Sequence, residues 1–440
     1  MTEKNVLKRS IKIAAGLLLL LVFLGNAGER EALAAEAEEA EVEFEHSGGK
    51  SCAKLTDGAT NSSLTFSKGQ SLKISSETPL QGLYIKWSAT KIPGEWTLLA
   101  DGKEFTCGTH NFLHEYVPLP KGTRNCTLIF PNKLAGIVEI DAYGEGDLPE
   151  DVQIWEPPCE KADFLVFSTH ADDEVLFLGG VCVTYAGERD LLTQVVYLCD
   201  FTLDDYGYMN TTREHEKLDG LWTMGVRNYP VNGSFPDVYS NNIKKAMTQY
   251  DYDAVLEFVT ENIRRFKPLV LISQDFNGEY GHGAHMMLAK AAADAMEISA
   301  DAAIYPESAE KYGTWDVPKA YYHLYQENKI RLDLRKPLTK FNGRTSLEVQ
   351  KEAYKKHVTQ QGYWFYVSDV KENIDCAAFG LYRTLVGEDT GTGDMLENIT
   401  TYEKKLEDDL KRTKEIGDRM YFRHGIYSLR DCLKLSMGIK

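Results

Sequence analysis

The sequence predicts an α/β protein: a Rossmann-like, mostly parallel sheet with flanking helices, preceded by an all-β unit. Three observations carry this. Phe164 to Ser168 is a short run of β-formers, apolar on both faces as a buried parallel strand is, and a polar turn and the apolar stretch V-L-F-L-G-G-V-C-V-T-Y-A-G follow it. Further apolar strands, Gln194 to Cys199 and Leu269 to Ser273, alternate with helical stretches, the pattern of parallel βαβ units. Residues 46–150 have another texture. Short alternating runs, such as L-Y-I-K-W at 83–87 and C-T-L-I-F at 126–130, are split by Gly, Pro, Asn and Asp, which predicts an antiparallel β-sandwich.

At 440 residues the chain is too long for one ordinary core. Hydrophobic content of 43% and charged content of 26% place it among globular proteins. A net charge of −17 argues against a nucleic-acid or anionic-membrane partner. Residues 1–34 read as an export signal: Lys4, Lys8, Arg9 and Lys12 form a positive n-region, and Ile13 to Leu24 an apolar h-region too short for a comfortable span. Ala32-Leu33-Ala34 offers a cleavage site, and an uncleaved anchor is the alternative. The localisation expected is secreted or cell-surface. Residues 35–45, Ala/Glu-rich, read as a flexible spacer, 46–150 as the β-sandwich, 151–160 as a linker, and 161–440 as the α/β domain with a C-terminal extension.

Eight cysteines do not make a disulfide scaffold in an exported chain of this size. Cys107 and Cys126 could bridge, whereas Cys182 and Cys199 sit in apolar stretches and read as buried thiols. Within the α/β domain, residues 175–187 read as a buried helix and 211–226 as a helix capped by Thr211 or Thr212. Asp253 is the expected cap of a helix with Val255, Phe258, Val259 and Ile263 on one face. Residues 286–296 form an Ala-rich helix, 318–325 a strand with packing aromatics, and 402–412 a charged helix with a solvated face.

Two polar clusters interrupt the apolar pattern. His170, Asp172, Asp173 and Glu174 follow the first strand at once, and Q-D-F-N-G-E-Y-G-H-G-A-H at 274–285 follows the strand ending at Ser273. Either alone reads as a solvated turn or a helix start. Together, at strand ends that a parallel sheet brings side by side, imidazoles and carboxylates supply a three-ligand site for Zn²⁺ or another divalent transition metal, with a position left open for water.

These motifs resemble those of the PIG-L/LmbE-like family of zinc-dependent N-acetylglucosaminyl deacetylases. His170-Ala171-Asp172-Asp173-Glu174 is similar to the family's His-Pro-Asp-Asp-Glu, Arg213-Glu214-His215-Glu216 with Met224-Gly225-Val226 to its Arg-x-x-Glu helix, and His282-Gly283-Ala284-His285 to its His-x-x-His. K-K-H-V-T-Q-Q at 355–361 and F-G-L-Y-R-T-L-V-G at 379–387 resemble later family segments. The resemblance implies His170, Asp173 and His285 as zinc ligands, Asp172 as general base, a protonated His282 as partner of the developing oxyanion, and Arg213 as a substrate contact. Two departures stand out: Ala171 replaces a proline, and Gly283-Ala284 replace the usual Pro-Asp, removing a carboxylate that could orient an imidazole. Glu279 and Asp275 are the nearby substitutes.

L-T-D-G-A-T at 55–60 and P-L-Q-G-L-Y-I-K-W at 79–87 give residues 46–150 a looser resemblance to discoidin-like modules, which implies carbohydrate binding with Trp87, Trp96 and Tyr116 as candidates. The alternative is that these rings fill the core. The function implied is removal of an N-acetyl group from a glucosamine-containing glycan or glycoside by zinc-activated water. The alternative is a carbohydrate-binding surface protein with a decayed enzyme domain. Neither a nucleic-acid partner nor, apart from an uncleaved anchor, a membrane is expected, and the sequence leaves the oligomeric state open.

Overall fold

The computed structural model describes residues 35–203, 210–391 and 393–412. The expected leader lies outside them. Nine strands form the N-terminal unit: β1 (Val42–His46), β2 (Leu64–Phe66), β3 (Ser71–Ser76), β4 (Gly82–Trp87), β5 (Trp96–Ala100), β6 (Lys103–Cys107), β7 (His114–Pro118), β8 (Asn125–Ile129) and β9 (Ala135–Tyr143). They pair antiparallel into two sheets, ordered β1-β3-β8-β5-β6 and β2-β9-β4-β7. Period-2 alternation puts Leu72, Ile74, Leu98 and Leu128 of one sheet and Leu83, Ile85, Ile140 and Ala142 of the other into one hydrophobic cluster. Trp87 and Trp96 are core: both are buried, their rings meet at 5.8 Å, and both indole N–H groups donate to Glu115, at 2.9 and 3.2 Å. Tyr116 is half-buried.

Two expectations are corrected here. Cys107 and Cys126 are free thiols. β5 runs between their strands, and two strand spacings of about 4.8 Å exceed the Cα separation a disulfide spans. Residues 35–45 are no free spacer: Ala37 N–H donates to Asp147 O at 2.7 Å, Ala40 N–H to Ala142 O at 2.8 Å, and β1 begins at Val42. The connecting residues 151–160 are packed rather than exposed: Val152, Gln153 and Trp155 are buried.

The second unit is built on a seven-stranded sheet ordered β12-β11-β10-β13-β14-β16-β15, from β10 (Phe164–Ser168), β11 (Thr193–Cys199), β12 (Val231–Phe235), β13 (Val270–Ser273), β14 (Lys319–His323), β15 (Lys329–Arg331) and β16 (Ala378–Thr384). The five strands from β12 to β14 are parallel, and β16 adds antiparallel to β14 and β15. Every residue of β10, β11, β13 and β14 is buried, as strands covered on both faces require. From β10 the chain moves outward to β11 and β12, then returns across β10 to β13. The carboxyl ends of β10 and β13 therefore flank the switch point where open α/β sheets form a crevice.

The helices are α1 (Asp173–Leu176), α2 (Thr212–Thr223), α3 (Ile243–Gln249), α4 (Tyr252–Phe266), α5 (Gly283–Ile298), α6 (Pro306–Tyr312), α7 (Ser346–Lys355) and α8 at 402–412, whose side chains are largely exposed as expected. Two details differ from the sequence reading. The apolar stretch 175–187 is broken into α1, a short turn at Gly179–Val181 and a wide turn at Cys182–Gly187. Gly179 and Gly180 lie so close to Gln350 and Leu334 that an added Cβ would come within 2.8 Å of each. The cap of α4 is Asp251, whose carboxylate accepts from Asp253 and Ala254 N–H at 3.1 and 3.4 Å.

The two units share a buried joint. Leu113 N–H donates to the Tyr229 hydroxyl at 2.9 Å, the rings of Phe112 and Tyr229 stack at 4.7 Å, and His114 Nε2 lies 2.9 Å from His215 Nδ1 on α2. The proton positions in this chain follow from its ends. Gln153 Oε1 accepts from Trp155 Nε1 at 2.9 Å, so His114 Nδ1, 2.8 Å from the same oxygen, is the donor there. His114 Nε2 then accepts from His215 Nδ1–H, and both imidazoles are neutral. Deleting residues 35–150 should therefore uncover His215 and Tyr229 and lower the melting temperature of the remaining unit. An unchanged melting temperature after the deletion would show that the joint is dispensable.

Candidate metal centre

The turn after β10 places His170, Asp172 and Asp173, and the turn after β13 leads into α5 with His282 and His285. His170 Nδ1 and Asp173 Oδ2 are 3.0 Å apart, His285 Nε2 and Asp173 Oδ2 3.1 Å, and His170 Nδ1 and His285 Nε2 3.1 Å. Three donor atoms thus converge in a near-equilateral triangle. Its edge is close to the about 3.3 Å between neighbouring donors around a tetrahedral ion with bonds of about 2.0–2.1 Å.

Carboxylates behind the imidazoles fix which nitrogens face inward. Glu279, fully buried, lies 2.8 Å from His285 Nδ1 through Oε2 and 2.7 Å from His323 Nδ1 through Oε1. His285 therefore carries a hydrogen on Nδ1 and presents Nε2 to Asp173. Asp237 Oδ1 stands 3.3 Å from His170 Nε2, near enough for attraction though too poorly aligned for a hydrogen bond. Burial opposes charge on His285, yet Asp173 and Glu279 pull it up to about 9; burial likewise opposes charge on His170, yet Asp237 helps raise it well above the ordinary value. The cluster demands a positive charge among its donors, which a bound divalent ion would supply, and the donor set fits Zn²⁺.

Ring nitrogens of His170, His282 and His285 also lie within 4.8 Å of one another. The triangle containing Asp173 is tighter, and His282 Nδ1 is already engaged, accepting from Ala284 N–H at 3.2 Å as the cap of α5. That bond puts the His282 hydrogen on Nε2. Burial, with His170 and His285 alongside, pushes His282 down to about 2. The imidazole is a neutral N–H donor here, not the imidazolium expected from the resemblance.

Asp172 begins α1 with φ 147°, a conformation L residues rarely adopt. Its N–H donates to Glu174 Oε2 at 2.8 Å, and Arg213 Nη2 donates to its Oδ1 at 2.9 Å and to Ala171 O at 2.7 Å. Arg213 Nη1 donates to Asp237 at 3.1 Å, and the guanidinium stacks 4.1 Å above Phe201. Arg213, expected to contact substrate, is buried behind Asp172 and Asp237. Burial raises the Asp172 carboxyl to about 7, against the pull of Arg213.

The later segment 355–361 docks on the same helix. Thr359 N–H and hydroxyl donate to Glu216 at 2.7 and 2.6 Å, and His357 Nε2 lies 3.2 Å from Glu174 Oε1. Gly220 makes this possible, because an added Cβ would meet His357 Nε2 at 2.7 Å. Of the two carboxylates that could replace the missing motif Asp, Glu279 reaches His285, while Asp275 binds Asn277 N–H at 3.0 Å. Asp237 and His323 escaped the sequence reading. Asp237 follows β12, whose V-N-G-S-F carries no apolar strand signal, and His323 sits among strand aromatics.

This is a buried acidic–imidazole centre able to hold one divalent ion beside a second carboxylate, Asp172, that Arg213 holds in place, the class of site used in metal-assisted hydrolysis. Residues 165–296, which contain every side chain named in the triangle together with Asp172, Arg213 and His282, match the PIG-L family model, described as GlcNAc-PI de-N-acetylase. The chain is 25% identical over 193 residues to 1D-myo-inositol 2-acetamido-2-deoxy-alpha-D-glucopyranoside deacetylase 1 of Catenulispora acidiphila, covering 39% of this chain and 59% of that one. It is 30% identical over 192 residues to the corresponding deacetylase of Geodermatophilus obscurus, covering 38% and 63%. The matches thus span about three fifths of those relatives' length. A solved structure of N,N'-diacetylchitobiose deacetylase from Pyrococcus horikoshii aligns at a TM-score of 0.36 and 17% identity over 46% of this chain and 72% of that one, too weakly to carry an argument.

Proposed function

We propose that the protein is an exported, zinc-dependent hydrolase that removes the N-acetyl group from a glucosamine residue of a glycan or glycoside. One observation carries the reading: the 3.0–3.1 Å triangle of His170, Asp173 and His285 beside Asp172, a strained carboxylate that Arg213 holds in place. The named relatives, which act on an acetamido-glucopyranoside, support the bond type. The n-region and h-region of residues 1–34 support export.

His170, Asp173 and His285 would hold the ion, and Asp237 and Glu279 would orient the two imidazoles. Zn²⁺ bound there would lower the pKa of a water and polarise the amide carbonyl. Asp172 would take the proton from the attacking water and deliver it to the leaving amine. His282 Nε2–H would donate to the carbonyl oxygen as negative charge builds on it. Arg213 would keep Asp172 aimed. Atoms balance as amide plus water giving amine plus acetate. A decayed domain is the less favoured reading, because Glu279 supplies the carboxylate that Ala284 lacks.

Acetate release from a panel of N-acetylated saccharides, with and without chelator, tests the proposal. Release that stops on chelation and returns with Zn²⁺ is expected. Release from none of the panel, or release indifferent to chelation, would overturn it.

A further inference from the structure

The aromatic rings most open to solvent lie outside the N-terminal unit. Among the described residues the four most exposed aromatic side chains are Tyr239 at 64%, Tyr363 at 62%, Trp364 at 53% and Tyr366 at 47%. None belongs to residues 46–150, where Trp87 and Trp96 are buried. Tyr239 and Trp364 lie at the two ends of one run of rings through the candidate centre. Tyr239 meets His282 at 5.2 Å, His282 meets Tyr280 at 5.7 Å, and Tyr280 meets Trp364 at 5.9 Å. Tyr280 also stands 5.4 Å from His285. Its backbone is held at φ 48°, an uncommon setting for a bulky residue and a mark of a position fixed by its surroundings. Lys371 Nζ sits 5.1 Å from the Trp364 ring and 5.2 Å from that of Tyr366, bracing both.

Exposed Trp and Tyr rings joined through Tyr280 and His282 to the candidate centre suit a ligand with flat apolar faces and polar edges, as pyranose rings have. The rings carry no charge, and the chain's net charge of −17 disfavours an anionic partner. We propose that Tyr239 and Trp364 are stacking subsites beside the metal centre, and that they hold sugar rings next to the acetylated residue of a neutral oligosaccharide. The assignment of the central residue rests on the deacetylase reading; the stacking of its neighbours does not.

Calorimetric titration of full-length, zinc-loaded Asp172→Asn protein with a β-1,4-linked N-acetylglucosamine tetramer and with the monomer tests this without turnover. The tetramer should bind at least about tenfold more tightly than the monomer, and Trp364→Ala should remove most of that advantage, the size of one stacked ring. Tyr239→Ala should remove a further part, and Trp364→Phe should restore most of what Trp364→Ala loses. Equal affinity for monomer and tetramer, or an advantage that survives both alanine substitutions, would overturn the proposal. So would a protein dimer that Trp364→Ala abolishes while leaving saccharide binding unchanged, because the rings would then serve a second copy of the chain. Length-dependent, Trp364-dependent binding in a protein that releases no acetate would uphold the subsites and remove the deacetylase reading alone.

Discussion

Asp172→Asn should keep stoichiometric zinc but lose turnover by about 10²–10⁴-fold, the range for removal of a positioned general base. Asn keeps an oxygen for the Arg213 hydrogen bond, which spans 2.9 Å in the native chain, and occupies the same volume. What it loses is the ability to take a proton. The strained φ of 147° at this residue argues that its position is imposed by neighbours: Glu174 anchors its N–H and Arg213 grips both its carboxylate and the carbonyl before it. Rates of acetate release, measured alongside zinc content, decide the matter. Turnover within a few-fold of wild type would transfer the base role to another group, and loss of zinc would make Asp172 part of the ligand set.

His285→Ala should abolish zinc retention and leave the protein folded. The imidazole supplies one corner of the donor triangle, and without it two donors 3.0 Å apart, His170 Nδ1 and Asp173 Oδ2, would have to hold the ion alone. Glu279→Gln makes the finer version of the same experiment. An amide can present its oxygen to His285 Nδ1–H but cannot match the carboxylate's charge, and weakening of zinc affinity by about 10–100-fold is expected for a partner of this kind. Metal analysis after dialysis, with far-ultraviolet circular dichroism to check the fold, reads both variants. Stoichiometric zinc in His285→Ala would refute the ligand set.

The centre was legible because its parts follow buried strands. His170 and Asp173 come directly after five apolar residues, and His285 opens an Ala-rich helix, so strand ends and helix starts could be located without tertiary information. Asp237 could not be found this way. It follows β12, an edge strand whose V-N-G-S-F shows neither alternation nor an apolar run. Glu279 was legible only as a carboxylate near the gap left by Ala284; that it rather than Asp275 reaches His285 depends on turn geometry, including φ 66° at Gly278 and 48° at Tyr280. The aromatic segment 363–366 lies in irregular chain, where periodicity says nothing about which rings stay exposed. Residues 151–160 read as a linker, but Gln153 and Trp155 belong to the joint, and composition cannot report a contact between His114 and His215, 101 residues apart.

That pair of histidines makes the seam between the units sensitive to acid. Burial, followed by the Lys86 charge, holds His114 well below the ordinary histidine value, and burial followed by the His114 charge pushes His215 down to about 3, although Asp219 pulls the other way. Unfolded, both rings would accept protons near the ordinary 6.5. The unfolded chain therefore binds protons that the native chain refuses, and the seam's contribution to stability is complete above about pH 6.5 and drains away as the pH falls towards about 3. A proton on His114 Nε2 would also point at the hydrogen of His215 Nδ1 and break the one hydrogen bond that links the rings. The melting temperature should fall between pH 7 and pH 5 in the wild type and less steeply in His114→Gln; parallel profiles would place the acid sensitivity elsewhere. If the seam behaves this way, the molecule is suited to neutral or mildly alkaline surroundings, and acidification would open it along the boundary between its two units.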